Sequence, residues 1–386
     1  MRLLILAEKY PPIVGGGETQ LAQLSASLVA MGHHVIVGTD RSGIDVEPDH
    51  GGVEVVHVPG LQQACTRLDC YQAVQSVFAL LTTHAYDALH VVNYIPALLV
   101  SWLRSAVRTP VFMSAFETFI PPARVFGLFD DFPLECALSR SVPALLAPNA
   151  LFCGSKAYEE WALQAGFDRG VLRVIPHSTD VDRFAFSAPA RERARAARRW
   201  LPDDFVFLVP ARPVRRKRIE DVLAACAMLR GERRLRVVLT RPTARGDAAY
   251  LGELQAQIER DHLEAMVHWE PDVAWTEMPA LYSASDAVVL PSGREGFAIS
   301  LVEAMSASRP VIATAIDGPT EFVDDGVTGL LYPPGDVERL AALMARVMAD
   351  DTSAMTGRAL RLAHDRYSIT AMTRQYLAVY REHVTI

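Results

Sequence analysis

The sequence predicts two open, parallel α/β domains in tandem, and three observations carry that prediction. Its 386 residues exceed what one hydrophobic core usually organises, at about 100–200 residues per domain. Short apolar runs alternate with stretches of helical periodicity, the pattern of βαβ units and a parallel sheet. That alternation fades near the middle of the chain and then restarts.

The first half opens on an apolar run at 3–7, of strand length, followed by a helical pattern over 19–31 that stops at Gly32. Runs at 35–39 and 53–58 read as strands and 70–84 as a helix, with further strands at 88–92, 111–114 and 151–154. Residues 176–204 have few apolar positions and carry Arg191, Arg193, Arg195, Arg198 and Arg199, so the domain linker is expected there. The pattern restarts with a strand at 205–211, a helix at 219–229, a strand at 236–239 and a helix at 250–260. Strands at 267–269, 287–290 and 310–314 follow, with a helix over 298–306 before the last of them. The expected domains are 1–180 and 181–365, with a C-terminal helix in 366–386 that returns to the first domain. Open sheets of this kind bind ligands beyond the carboxyl ends of their strands, and two of them leave a cleft.

Half of the residues are hydrophobic and 22% are charged, a globular composition. The net charge of -7 argues against nucleic acid as partner. Residues 1–180 hold 11 basic and 17 acidic residues (net -6), and residues 181–386 hold 27 and 28 (net -1), so the acidity lies in the first half. Five cysteines without CxxC spacing (Cys65, Cys70, Cys136, Cys153, Cys226) argue against a disulfide framework or a zinc site. With no leader-like or membrane-spanning apolar run, a cytoplasmic protein without membrane association is expected.

Three segments carry chemistry. The loop Tyr10-Pro-Pro-Ile-Val-Gly-Gly-Gly-Glu18 joins a strand to a helix, so Gly15, Gly16 and Gly17 either bring backbone amides to an anion or make a tight turn. After the second domain's first strand comes Arg212-Pro-Val-Arg-Arg-Lys-Arg218. Cations there suit a diphosphate, Arg212 and Lys217 foremost; for Arg215, Arg216 and Arg218 a solvated face is the plain alternative. Lys217 is one of only three lysines beside 35 arginines. The third segment is Pro291-Ser-Gly-Arg-Glu-Gly-Phe-Ala-Ile-Ser-Leu-Val-Glu303. Glu295 is expected at a helix start with Glu303 two turns on, where two carboxylates could hold two polyol groups of one ligand. A helix-dipole contact and a surface glutamate are the alternatives.

These motifs, with 310–336 and the C-terminal helix, resemble the family 4 glycosyltransferases of the GT-B fold, in order and over essentially the whole chain. The resemblance implies two Rossmann-like domains facing across a cleft and sugar transfer from a nucleotide diphosphate donor with retention. It implies Arg212 and Lys217 on the diphosphate and Glu295 on the donor sugar, helped by the backbone of Gly296, Phe297 and Ala298. It further implies Glu303 on the ribose and the glycine loop beside diphosphate and acceptor. UDP is favoured over GDP on family frequency. No cofactor is implied besides the nucleotide-sugar co-substrate, and no metal; Asp180-Val-Asp182 resembles a DxD motif only superficially. Phe116 stands where many relatives carry a histidine.

A small, amino-bearing polyol such as an aminocyclitol is expected as acceptor, from the acidity of the first half and the segment 112–132. That segment holds six of the fifteen phenylalanines beside Glu117, Asp130 and Asp131. His90 is a further acceptor candidate, with a structural role as the alternative. A lipid-linked acceptor, a nucleotide-sugar epimerase and a non-catalytic nucleotide-sugar binder are the competing readings. The oligomeric state is not expressed in the sequence.

Overall fold

A computed structural model describes residues 1–13, 16–42, 50–61, 70–115, 142–231, 234–241, 247–271 and 273–384. The chain divides into two compact units, Met1–His177 with Ile369–Ile386, and Ser178–Ser368. The segment containing Phe116, Glu117, Asp130 and Asp131, and also Gly15, lies outside the described residues.

The first unit is a seven-stranded parallel sheet in the order β3-β2-β1-β4-β5-β6-β7. Its strands are β1 (Arg2–Ala7), β2 (His34–Thr39), β3 (Glu54–His57), β4 (Ala88–Val92), β5 (Val111–Ala115), β6 (Ala150–Cys153) and β7 (Leu172–Val174). The helices are α1 (Gly16–Ala30), α2 (Tyr71–Thr83), α3 (Tyr94–Trp102), α4 (Val142–Leu146) and α5 (Lys156–Gln164). Strand alternation sorts the core into two layers. Leu3, Ile5 and Ala7 of β1 join Leu21 and Leu24 on one face; Leu4 and Leu6 join Leu80 and Leu98 on the other. Burial on both faces explains the continuous apolar runs.

The second unit is a six-stranded parallel sheet in the order β10-β9-β8-β11-β12-β13. Its strands are β8 (Phe205–Val209), β9 (Leu235–Arg241), β10 (Val267–Pro271), β11 (Ala287–Leu290), β12 (Val311–Thr314) and β13 (Leu330–Tyr332). Its helices are α6 (Ala188–Ala197), α7 (Ile219–Met228), α8 (Ala248–Arg260), α9 (Met278–Ala284), α10 (Ile299–Ser306), α11 (Val337–Ala349) and α12 (Ser353–Tyr367). The last helix, α13 (Ile369–His383), belongs to the first unit.

Two expectations change. The arginine run is no linker: it forms α6, capped by Ser187, inside the second unit. Arg191 and Arg195 both pair with Asp286, at 2.5 and 3.2 Å, and Arg198 pairs with Glu270 at 2.6 Å. His90 is no acceptor residue either. It is 0% exposed, its Nε2 is 2.8 Å from Ser114 Oγ and its Nδ1 is 2.7 Å from the Tyr380 hydroxyl. Both ring nitrogens are therefore spent inside the core, and burial lowers its pKa to about 3. Around it Tyr376 and Tyr380 of α13 pack on Phe152 and Phe112, with ring centroids 4.3 and 4.8 Å apart. The chain's end thus completes the first unit's core.

Candidate active site

In the second unit, strand order reverses between β8 and β11, so the loops leaving their carboxyl ends meet at a switch point. The β8 loop supplies Arg212 to Arg218 and the β11 loop supplies Ser292 to Ala298. Two contacts knit these loops together and a third ties the β11 loop to the end of β12. Gly293 N–H donates to the Arg216 carbonyl at 2.8 Å, the Arg216 guanidinium donates to the Arg294 carbonyl at 3.2 Å, and Thr314 Oγ1 donates to the Ser292 carbonyl at 2.5 Å. Gly318 lies over them with φ +89°, where a Cβ would sit 3.3 Å from Glu295 Cβ and the Phe297 backbone. The left-handed backbone and the close approach together favour glycine there.

At the centre Lys217 Nζ donates to Glu295 Oε1. Both side chains are nearly buried, 11% and 7% exposed. Ser292 Oγ donates to the same carboxylate oxygen at 2.5 Å, and the Arg216 guanidinium stands 3.6 Å from the other. Burial by itself pushes the Glu295 carboxyl up, but Lys217, Ser292 and Arg216 together outweigh it and hold the pKa below the ordinary value. Burial also depresses the Lys217 ammonium, with Arg216 and Arg212 adding to the effect and Glu295 opposing it. Glu295 is therefore ionised at neutral pH. Glu295 does not begin a helix, as its spacing suggests: Ala298 in the left-handed region (φ 73°) turns the chain, and α10 starts at Ile299. Glu295 is thereby carried in the loop, against the cations.

The other basic residues divide by partner. Arg212 is exposed and its charge reaches Lys217. Arg215 turns outward to Glu253, with nitrogen–oxygen distances of 2.8 and 2.5 Å. Arg218 (φ 48°) grips Asp221 with two hydrogen bonds of 2.8 and 3.0 Å. Phe297, 4% exposed, packs its ring against Phe322 and Tyr367, anchoring the loop. Gly296 between them is partly buried.

Glu303, in α10, accepts a hydrogen bond of 2.7 Å from the hydroxyl of Tyr282, a fully buried residue of α9. Burial raises its pKa to about 7, against the lowering influence of that bond. Ser292 and Tyr282 stand in the candidate site without having been singled out in the sequence. A serine three residues before Glu295 has a motif position that could have revealed it; Tyr282 has none.

In the first unit the strand order reverses between β1 and β4. Lys9, Gly17, Glu18, Val92 and Asn93 line a pocket there. Gly16 and Gly17 open α1, where the first backbone N–H groups of a helix lack intrahelical partners. Among the described residues no group of three metal-ligating side chains stands together, and no helix is long and apolar enough to cross a membrane.

Two parallel α/β units of this topology, the second with buried cationic and acidic residues at its switch point, define the GT-B fold of glycosyltransferases. The sequence model of Glycosyltransferase Family 4 matches residues 14–183, and that of Glycosyl transferases group 1 matches residues 190–361. The chain belongs to this family. It is 30% identical over 219 residues to the D-inositol 3-phosphate glycosyltransferase of Saccharomonospora viridis, covering 55% of this chain and about half (50%) of that one. It is 26% identical over 421 residues to the glycogen synthase of Mycobacterium tuberculosis, covering 99% and 95%. Among solved structures, Anabaena HepE in complex with UDP is similar with a TM-score of 0.81 at 23% identity, covering 99% and 100%.

Proposed function

We propose that the protein is a retaining glycosyltransferase that moves a sugar from a UDP-sugar to a hydroxyl of a small polar acceptor. The observation that carries this reading is the Lys217–Glu295 pair, buried between the β8 and β11 loops with Arg216 beside it. In the reaction the bond from the anomeric carbon to the departing diphosphate breaks and a bond to the acceptor oxygen forms. Negative charge grows on the diphosphate, where Lys217 and Arg212 stabilise it, an effect typically worth several kcal/mol. Glu295, already ionised, accepts hydrogen bonds from the donor sugar's hydroxyls. Glu303 takes the ribose, and the backbone of Gly296, Phe297 and Ala298 lines the sugar. The acceptor proton passes to the departing phosphate oxygen on the same face, which gives retention without a protein base. With cations supplied by the chain, the reaction needs no metal ion.

UDP is supported by the UDP complex of HepE. A cyclitol acceptor is supported by the D-inositol 3-phosphate glycosyltransferase relative. The acceptor binds the first unit, beside Gly16, Gly17 and the pocket lined by Lys9, Glu18 and Asn93. The net charge of -6 over residues 1–180 favours an amino-bearing acceptor, with Glu117, Asp130 and Asp131 as candidate contacts.

The test is to incubate the enzyme with UDP-glucose, UDP-galactose or UDP-N-acetylglucosamine, with and without myo-inositol, inositol phosphate or 2-deoxystreptamine, in EDTA. Nuclear magnetic resonance then reads UDP release and the new linkage. The expected result is an α-linked product from an α-linked donor, with a KM for the amino-bearing acceptor that rises with salt. A β-linked product, activity restored only by magnesium or manganese, or donor isomerised without acceptor would overturn the respective part of the reading.

A further inference from the structure

Glu303 is held by a side chain from another element. The Tyr282 hydroxyl is 2.7 Å from Glu303 Oε2 and 3.1 Å from the Ser300 carbonyl, and Tyr282 is 0% exposed. A hydroxyl has one proton and here has two acceptors. When Glu303 is ionised, that proton goes to the carboxylate. When Glu303 is protonated, the carboxyl donates to the tyrosine oxygen and the tyrosine proton turns to the Ser300 carbonyl. The tyrosine hydroxyl and Glu303 Oε2 are partnered in both states, so neither atom carries the usual penalty of a buried, unpaired group. The elements packed on α10 are β11, β12, α9 and α12. Of their described titratable and charged side chains, Tyr282 is the one in contact with Glu303, and no cation offsets the carboxylate. Burial accordingly favours the neutral carboxyl, with a pKa of about 7.

We propose that Tyr282 is a positioning residue of the nucleotide site, whose hydroxyl turns between Glu303 and the Ser300 carbonyl so that Glu303 releases one proton to solvent when a ribose diol binds it. This rests on the reading of Glu303 as the ribose-binding carboxylate. A diol donating two hydrogen bonds favours the ionised carboxylate, so binding and proton release are linked. In the free protein a group near 7 is mostly protonated at pH 6 and mostly ionised at pH 8, which makes affinity about tenfold weaker at pH 6 than at pH 8.

The experiment is isothermal titration calorimetry with UDP-glucose, and with GDP-mannose as second probe, at pH 6, 7, 8 and 9. Two buffers of different ionisation enthalpy count the protons released. Intact nucleotide sugars are used because a free terminal phosphate itself titrates near pH 6. The wild type should bind about tenfold more weakly at pH 6 than at pH 8 and release about half a proton at pH 7. Tyr282→Phe keeps the ring and loses the hydroxyl that lowers the Glu303 pKa. It should bind several-fold more weakly at pH 7 and recover by pH 9, whereas a merely structural role would weaken binding equally at every pH. A pH-independent wild-type affinity without proton release, or a Tyr282→Phe profile superposed on the wild type, overturns the proposal while leaving the ribose reading in place. Glu303→Gln should bind weakly and without pH dependence. Unchanged binding by Glu303→Gln at pH 8, or no binding of either probe to the wild type, overturns the ribose reading and the proposal together. If Tyr282→Phe does not fold, the wild-type profile and proton count decide.

Discussion

Half-removing a buried ion pair strands the partner. Lys217→Ala leaves Glu295, 7% exposed, with Ser292 and Arg216 alone. That costs stability, about 3 kcal/mol. On the proposed function the same change takes a cation from the donor diphosphate, so turnover should fall about 10²–10³-fold. A second substitution separates the two effects: Lys217→Ala with Glu295→Gln should regain stability and stay inactive. Arg212→Ala, at an exposed residue, should lose turnover strongly with little change in stability. Glu295 is ionised below its ordinary 4.5, so its contribution is present above pH 4.5 and is lost as pH falls through the lower folded value. Denaturant melts at pH 7 and pH 4 should therefore show the Lys217→Ala deficit shrinking in acid. Activity of both single variants within twofold of wild type would remove the diphosphate assignment. At this scale the motif residues were legible because one loop or one short spacing holds them. His90 was not, because the residue that covers it, Tyr380, lies 290 positions away. Tyr282 was not, because nothing local to its helix records the carboxylate it will meet.

The elements explain why the site residues are held where they are. Ala298 is in the left-handed region at the start of α10, a conformation that costs a non-glycine residue about 1 kcal/mol. Ala298→Gly should raise stability by about that amount, seen as a higher melting temperature, and leave turnover near wild type. A fall in stability would show that the alanine methyl contributes more by packing than its backbone costs. Most strands were legible to within one or two residues, since runs buried on both faces are continuous and apolar. The helix α3 was not. Residues Ile95 to Ser101 are all buried, so no polar face gives the run a helical period. The arginines of α6 misled for the opposite reason: charge reads as exposure until Asp286 and Glu270 supply partners.

At the scale of the whole molecule, the first unit holds two buried histidines that make its stability sensitive to acid. Burial depresses His90 to about 3 and His177 to about 4, from 6.5. The unfolded chain then binds protons that the folded one refuses, so stability falls with pH from 6.5 down to those values. The slope is about 1.4 kcal/mol per pH unit for each histidine. From pH 6.5 to 5 this removes about 2 kcal/mol per histidine, and Glu303, raised from 4.5 to about 7, returns about one histidine's share. Denaturant melts at the two values should register the net loss, and equal stability at both would contradict it. Because α13 belongs to the first unit, that unit closes only when the chain's end is in place. The sequence located a C-terminal helix without revealing that its tyrosines seal a histidine.

On the proposed function the second unit binds a nucleotide diphosphate through Lys217 and Arg212. Titration calorimetry of UDP, GDP, ADP and TDP into the wild type, Lys217→Ala and Arg212→Ala tests it most directly. The wild type should show one UDP site per chain and weaker binding of the other nucleotides, and each variant an affinity at least tenfold lower. No measurable binding of any nucleotide to the wild type, or equal UDP affinity in all three proteins, would contradict it.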